Sequence, residues 1–487
     1  MDQLNNAVAD AVQDSIGLYE KAPSAGFPPA VDADVPMSNE IFQRIPVEIY
    51  ILIFEFCVAD DAQPPYDFFF DDTTKAPWTL GHVCFKWRSI AVDAPSLWTV
   101  VCLSTCLLQQ ASQPEERVAE MWRLYLQRSK TLPISLFVLS EEYLPAAILD
   151  PLLDCCERWR DVFLFIHPNH VPRLATIRDR LPLLRSMQFI PTVEVEGNPV
   201  DDVPSIVGTA PSLRHLALRG HALDLRLSFP WSQIQIFEAN YIEPAEILSI
   251  VPAMPHIVRL KLGREPPEHA PVNKENWVVR HDEIRNFTLD TVNEHIEGHP
   301  GDLIDHLKLP SLSCLSILCD GEECLEDIHA LLKRSACTVE TLKLGIRFQH
   351  LEGLLNLLHT QPQLKRVSRL SLNDGEPIWG EAFLHALTMS EDDPGSVVMP
   401  LLREIDILLD TDEPRVAVQR WLGVFESRVN PVQPADREAP RIQPLLRVEI
   451  GSRTRVGIVD NRQTVERLQG LVRAGLQVDI FYRNSID

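Results

Sequence analysis

An apolar phrase of the form L-x-x-L-x-L returns along most of this chain. It reads Leu184-Met187-Phe189, Leu213-Leu216-Leu218, Ile257-Leu260-Leu262, Ile284-Phe287-Leu289 and Leu312-Leu315-Ile317. It continues as Val339-Leu342-Leu344, Val367-Leu370-Leu372, Leu402-Ile405-Ile407 and Leu445-Val448-Ile450, with a weaker copy at Ile234-Phe237-Ala239. Five consecutive copies begin at 257, 284, 312, 339 and 367, so their intervals are 27, 28, 27 and 28. A fixed period of this size marks a repeat array, which grows in one direction while each unit buries its apolar side against its neighbours. Apolar residues two apart share one face of a short strand. The intervals hold stretches such as LEDIHALLKRSA and LEGLLNLLHTQ, apolar at helical spacing.

The period falls within the leucine-rich-repeat range of about 20–29 residues, and the phrase resembles that family's strand. The family's Asn after the strand is generally missing here, which makes these copies divergent and leaves their exact number open. The fold class implied is α/β: a curved solenoid with parallel strands on the concave side and helices on the convex side. Residues 264–281, 373–398 and 429–443 interrupt the rhythm and are expected to be loops, the kind of segment on which contacts concentrate. The closing VERLQGLVRAGLQVDIFYR predicts a helix and a strand that cap the array.

Composition narrows the function classes. The 487 residues carry 69 acidic and 45 basic side chains, a formal net charge of -24. Such a balance repels phosphate backbones and anionic membranes, so nucleic acid and membrane partners are not expected. No apolar run reaches the roughly 18 residues of a membrane span. The first residues, MDQLNNAVADAVQDSIGLYEK, lack the basic start and apolar core of a signal peptide. The ten cysteines form no C-x-x-C pairs and are read as buried thiols of a reducing compartment, cytosol or nucleus.

Ahead of the repeats the pattern is different. Leu4, Val8, Val12, Ile16 and Tyr19 have helical spacing, and residues 21–40 read as a Pro-, Ala- and Asp-rich linker. In IFQRIPVEIYILIFEFCV, Pro46 suits a first helical turn and Glu48 favours the helix dipole there. Ile49, Leu52, Ile53 and Phe56 form one stripe, while Tyr50 and Phe54 form part of another, with Val47 and Ile51 beside them. A helix apolar nearly all round must be covered on more than one side. A second helix is predicted from about Trp78 to Val92, striped by Leu80, Val83, Cys84, Trp87 and Ile90 or Ala91, and a turn follows at Ala94 to Trp98. Three small helices cannot cover both faces of the first, so its remaining face implies a partner or docking on the chain's own solenoid. The insert between them, with Tyr66 and Phe68 to Phe70 among aspartates, reads as a binding loop or as a local anchor.

These residues resemble an F-box. The family pattern of Leu-Pro, Glu-Ile, Ile-Phe, then Val-Cys-x-x-Trp-Arg, Ala and Leu-Trp is supplied by Ile45-Pro46, Glu48-Ile49, Ile53-Phe54, Val83-Cys84, Trp87-Arg88, Ala91 and Leu97-Trp98. Ile45 replaces the usual Leu, and the longer insert is similar to F-box proteins abundant in mushroom-forming fungi. MWRLYLQRSKTLPISLFVL and CCERWRDVFLFI continue that similarity, with Val118, Met121, Trp122 and Tyr125 striping a helix and Ile134, Leu136 and Val138 a strand. Arg128-Ser129 and Trp159-Arg160 read as junction residues. The organisation is then an N-terminal helix and linker over 1–40, an F-box over 41–100, and the leucine-rich-repeat-like solenoid with its cap over 101–487.

The resemblance implies a non-catalytic substrate receptor of a Skp–cullin–F-box ubiquitin ligase. The Skp-type adaptor, linking the chain to a cullin, would dock on positions matching Ile45, Pro46, Ile49, Ile53 and Phe54, while Val83, Trp87 and Trp98 match the rest of the module, partly its core. The solenoid would hold a target protein, and no cofactor is implied. A ligase-independent scaffold and an enzyme on the solenoid are the alternatives. For the enzyme, no phosphate loop, dinucleotide fingerprint, nucleophile elbow or H-E-x-x-H is present. His167 and His170 flank a Pro-Asn turn and read as surface, and Cys314, Cys319 and Cys324 are spaced too widely for a thiolate metal site. Glu322-Glu323 and Asp392-Asp393 read as solvated charge.

Overall fold

The computed structural model describes residues 44–61, 74–104, 115–140, 144–191, 207–220, 229–263, 278–290, 301–318, 323–345, 351–374, 380–389, 397–409, 414–433, 441–452 and 462–482. The expected N-terminal helix and linker, the aromatic insert at 66–70, Cys319, Glu322 and Asp392-Asp393 lie outside them.

Helices α1 (Val47–Asp61), α2 (Leu80–Val83) and α3 (Phe85–Asp93) come first, and a 3-10 turn over Pro95–Trp98 leads into β1 (Val100–Ser104). Strands and helices then alternate: α4 (Glu115–Arg128), β2 (Ile134–Ser140), α5 (Ala146–Asp154), β3 (Trp159–Ile166), α6 (Val171–Leu174), β4 (Ser186–Pro191), β5 (His215–Arg219), β6 (Ile236–Asn240), α7 (Pro244–Ile250) and β7 (Arg259–Leu262). The series goes on through β8 (Val279–Arg280), β9 (Asn286–Asp290), α8 (Gly301–Ile304), β10 (Leu307–Lys308), β11 (Cys314–Leu318), α9 (Glu323–Ser335), β12 (Thr341–Gly345) and α10 (Leu351–Thr360). It ends with β13 (Arg369–Asp374), α11 (Glu381–Leu387), β14 (Glu404–Leu409), α12 (Pro414–Val429), β15 (Arg447–Ser452), α13 (Arg462–Arg473) and β16 (Gln477–Tyr482).

Fourteen of these strands form one sheet in chain order, every neighbouring pair parallel; β8 and β10 pair separately. Each apolar phrase supplies one strand, and its middle residue sits opposite the next copy's middle residue: Met187 by Leu216, Leu216 by Phe237, Phe237 by Leu260, Leu260 by Phe287. The row continues through Leu315, Leu342, Leu370, Ile405 and Val448. A one-residue slip would turn this row to the other face, so the repeated phrase fixes the register. The weak Ile234 copy is a full member of the row. Helices cover the leucine side: Leu325, Ile328, Leu331 and Leu332 of α9 and Leu354, Leu357 and Leu358 of α10 are buried there. Alternate strand residues point to the opposite, open face.

The sheet and the first helices share one core, running from Tyr50 to Leu476. Their junction is aromatic. The Trp98 ring lies 5.1 Å from Trp78 and 4.9 Å from Tyr125, with the Arg128 guanidinium 4.3 Å from the Trp98 ring centre. The Trp98 Nε1–H donates to the Ala91 carbonyl at 2.8 Å, so a buried indole keeps its hydrogen bond. Arg158 secures the next turn, donating to Ser129 Oγ at 2.7 Å and to the Leu132 carbonyl at 2.9 Å. Trp159 is core, whereas Arg160 lies out on the open face against Asp161.

Four local expectations change. The second helix is broken at Cys84, which is extended (φ -159, ψ 171). Part of the 264–281 loop is β8, paired with β10, and the 373–398 segment contains α11, anchored by buried Phe383 and Leu387. His170 is buried, its Nε2 accepting the Leu144 backbone N–H at 2.9 Å, because it closes the turn between β2 and α5 from the other side of the core.

Candidate protein-docking site

Helix α1 has two apolar sides with different fates. Pro46 starts it, its carbonyl accepting the N–H groups of Ile49 and Tyr50. Tyr50, Phe54 and Val58 turn inward. The Phe54 ring, 0% exposed, lies 4.9 Å from the half-buried Trp87 and 6.1 Å from Tyr50, and Lys86 Nζ caps the Tyr50 ring at 4.5 Å. The other side carries Val47, Ile49, Leu52, Ile53 and Phe56, all exposed, Ile53 at 43% and Phe56 at 76%.

The break at Cys84 leaves two further apolar side chains exposed. Its sulfur accepts the Trp87 N–H at 3.5 Å, starting α3 afresh, and Arg88 Nε reaches back to the Gly81 carbonyl at 2.7 Å. An unbroken helix would put Val83 and Trp87 on one stripe. With the break, Trp87, Ile90 and Ala91 pack inward, while Val83 (60%) and Phe85 (85%) stand in solvent. Exposed apolar side chains gathered on so small a unit are what an interface leaves when its partner is away.

The structure therefore divides the residues that the resemblance grouped. Ile49, Ile53 and Val83 are exposed, Pro46 is exposed at the helix start, and Ile45 and Trp87 are half-buried against the core. Phe54 and Trp98 are interior and unavailable to a partner, since each fills a ring-lined core position. Leu52 and Phe56 join the exposed set from the stripe the sequence shows. Phe85, off the stripe of Leu80, Val83 and Trp87, is an exposed apolar residue that the sequence pattern does not single out.

Chemistry elsewhere is limited by geometry. Among the described residues no three His, Cys, Asp or Glu side chains gather as a metal site. No described helix is long and apolar enough to cross a membrane. On the open face Ser186 Oγ lies 3.0 Å from His215 Nδ1, and His215 Nε2 lies 3.0 Å from Glu238 Oε1. Burial pushes the Glu238 carboxyl up, but the hydrogen bond and charge of His215, with Lys261 and Arg259, outweigh it and hold the group below its usual range. This chain has the order of a hydrolytic relay. Ser186, however, is on a strand paired on both sides, where ladder bonds occupy the backbone N–H groups that an oxyanion would need. The three residues act as a cross-strand polar tie.

No protein-family model matches the chain, and comparison with curated proteins finds no significant match.

Proposed function

We propose that this chain is an F-box protein: the substrate-recognition subunit of a Skp–cullin–F-box ubiquitin ligase, with α1–α3 docking on the Skp-type adaptor and a leucine-rich-repeat-like solenoid holding a target protein. One observation carries the reading. The segment whose residues resemble an F-box is the segment that leaves Ile49, Leu52, Ile53, Phe56, Val83 and Phe85 uncovered, while its inner residues seat it on the sheet. The outer side is therefore free to bind without unfolding the inner one. Burying five or six such side chains in a partner stabilises a complex by several kcal/mol, at about 1.5–3 kcal/mol for each fully covered side chain before the costs of association. The long open face of the sheet gives the chain a second surface, on other elements than the first, as a receptor that bridges ligase and target requires. Transfer chemistry would reside in other subunits.

Co-purification tests this directly. Capture of both adaptor and cullin supports a ligase receptor. Adaptor without cullin points to a ligase-independent scaffold, and capture of neither by folded protein refutes the assignment.

A further inference from the structure

The open face of the sheet is not uniform. Two rows of register partners cross β7, β9, β11, β12 and β13. The first is Arg259, Asn286, Cys314, Thr341 and Arg369; the second is Lys261, Thr288, Ser316, Lys343 and Ser371. The first row begins and ends on a cation, the second carries cations on β7 and β12, and the side chains between them are short and uncharged. At a strand spacing of about 4.8 Å, the Lys261 and Lys343 backbones stand ~14 Å apart, and those of Arg259 and Arg369 ~19 Å apart. The result is a shallow trough with a polar floor and basic rims.

Two observations give the trough a ligand. Lys261 is paired with Asp290 at 2.9 Å and Arg369 with Asp406 at 2.7 Å, but Arg259 and Lys343 are exposed and form no salt bridge with any described residue. The floor also feels the rims: burial pushes the Cys314 thiol up, while Lys343, Arg259 and Arg369 all act on it in the opposite sense. Three of the four cations thus act on one floor residue within a chain of net charge -24. Beyond β13 the same face changes sign, with Glu404, Asp406, Glu449 and Asp479 in successive strands.

We infer that this trough binds an acidic stretch of a partner polypeptide, an extended run of about four to six residues carrying several Asp or Glu side chains. The inference rests on the reading of the repeat array as the target-binding part of the receptor. Carboxylates fit better than one phosphoryl group, because the cations stand on separate rims instead of converging as a set of donors on one point. A short acidic segment needs to meet only these cations, whereas a nucleic acid backbone would run on over the acidic strands beyond β13.

The test uses the whole chain without adaptor, so its failure and that of the docking assignment are separately visible. A random peptide library displayed on phage is selected against wild type, and enriched peptides are measured by fluorescence polarisation. The expected pool is rich in Asp and Glu, and binding weakens at least about tenfold in Arg259→Glu/Lys343→Glu, whose exposed positions leave folding intact, and weakens with salt. A pool without acidic bias, no enrichment, or acidic peptides indifferent to the double substitution would each overturn the inference. So would a phosphoserine peptide that binds far more tightly than its glutamate counterpart through the same two cations, which would make the ligand a phosphoryl group.

Discussion

Phe54 and Phe56 are two residues apart on α1 and are expected to respond oppositely to truncation. Phe54→Ala removes a ring that is 0% exposed and packed against Trp87 and Tyr50. Such a cavity costs about 3–5 kcal/mol. Phe56 is 76% exposed, and Phe56→Ala should stay within about 0.5 kcal/mol of wild type in the free chain. A repeat array of this length need not unfold as one unit, so the readout should be local: amide hydrogen exchange of peptides covering α1. At about 1.4 kcal/mol per factor of ten, Phe54→Ala should speed exchange across α1 by about a hundredfold or more. Phe56→Ala should leave exchange unchanged while weakening adaptor binding. Equal effects of the two substitutions, or tolerance of Phe54→Ala, would show that α1 is not seated by its Tyr50–Phe54–Val58 side, and the assignment of a docking face would fall with it.

Other consequences are independent of the docking face. Arg428 is fully buried and donates to the carbonyls of Leu387, Val398 and Met399; burial lowers its pKa to about 10. Arg428→Met should cost about 3 kcal/mol in urea unfolding, because three buried carbonyls lose their donor while removal of a buried charge returns part of that loss. Asp179, at φ 63, is held below the usual carboxylate range first by the Thr209 backbone N–H at 2.7 Å and then by its hydroxyl at 2.9 Å. Its contribution to stability is therefore present above the unfolded carboxyl pKa of about 3.9 and is lost as pH falls through the lower folded value. Asp179→Asn should flatten that acid limb between about pH 2 and 5, and an unchanged limb would contradict the hydrogen-bond assignment. Burial pushes the Cys155 and Cys337 thiols up to about 11, whereas Cys84 is exposed. Iodoacetamide at mildly alkaline pH should label Cys84 in the folded chain and the other two only after unfolding; early labelling of Cys337 would mean that α9 frays.

How far the sequence discloses this molecule depends on the range of each signal. The leucine phrases are local and repeated, so the strands of the main sheet from β4 to β15 and their register are legible from the spacing of residues such as Leu315 and Leu342 alone. The break at Cys84 is not, because the stripe of Leu80, Val83 and Trp87 continues at helical spacing straight through it. Helix α11 is hidden because Pro, Gly and Asp crowd both flanks of Phe383 and Leu387, and β8 is too short to show a period. In α1 both sides are apolar, so the pattern announces an uncovered face without saying which. The choice is made by contact with Trp87, which brings Phe54 inside and leaves Phe56 out. The basic trough leaves no trace as a charge run, since Arg259, Lys261, Lys343 and Arg369 come from three strands widely separated in the chain and meet only through the register.

Titration calorimetry of purified Skp-type adaptor into the free chain, wild type against Ile53→Asp, reaches the central claim most directly. Ile53 is exposed, so the variant should match wild type in hydrogen exchange and bind at least about tenfold more weakly, the loss expected for a charge placed against an apolar interface. Binding by wild type and its loss in the folded variant is the predicted result. No heat with folded wild type, or equal affinity for the two, would contradict the claim that α1 carries an adaptor-docking face.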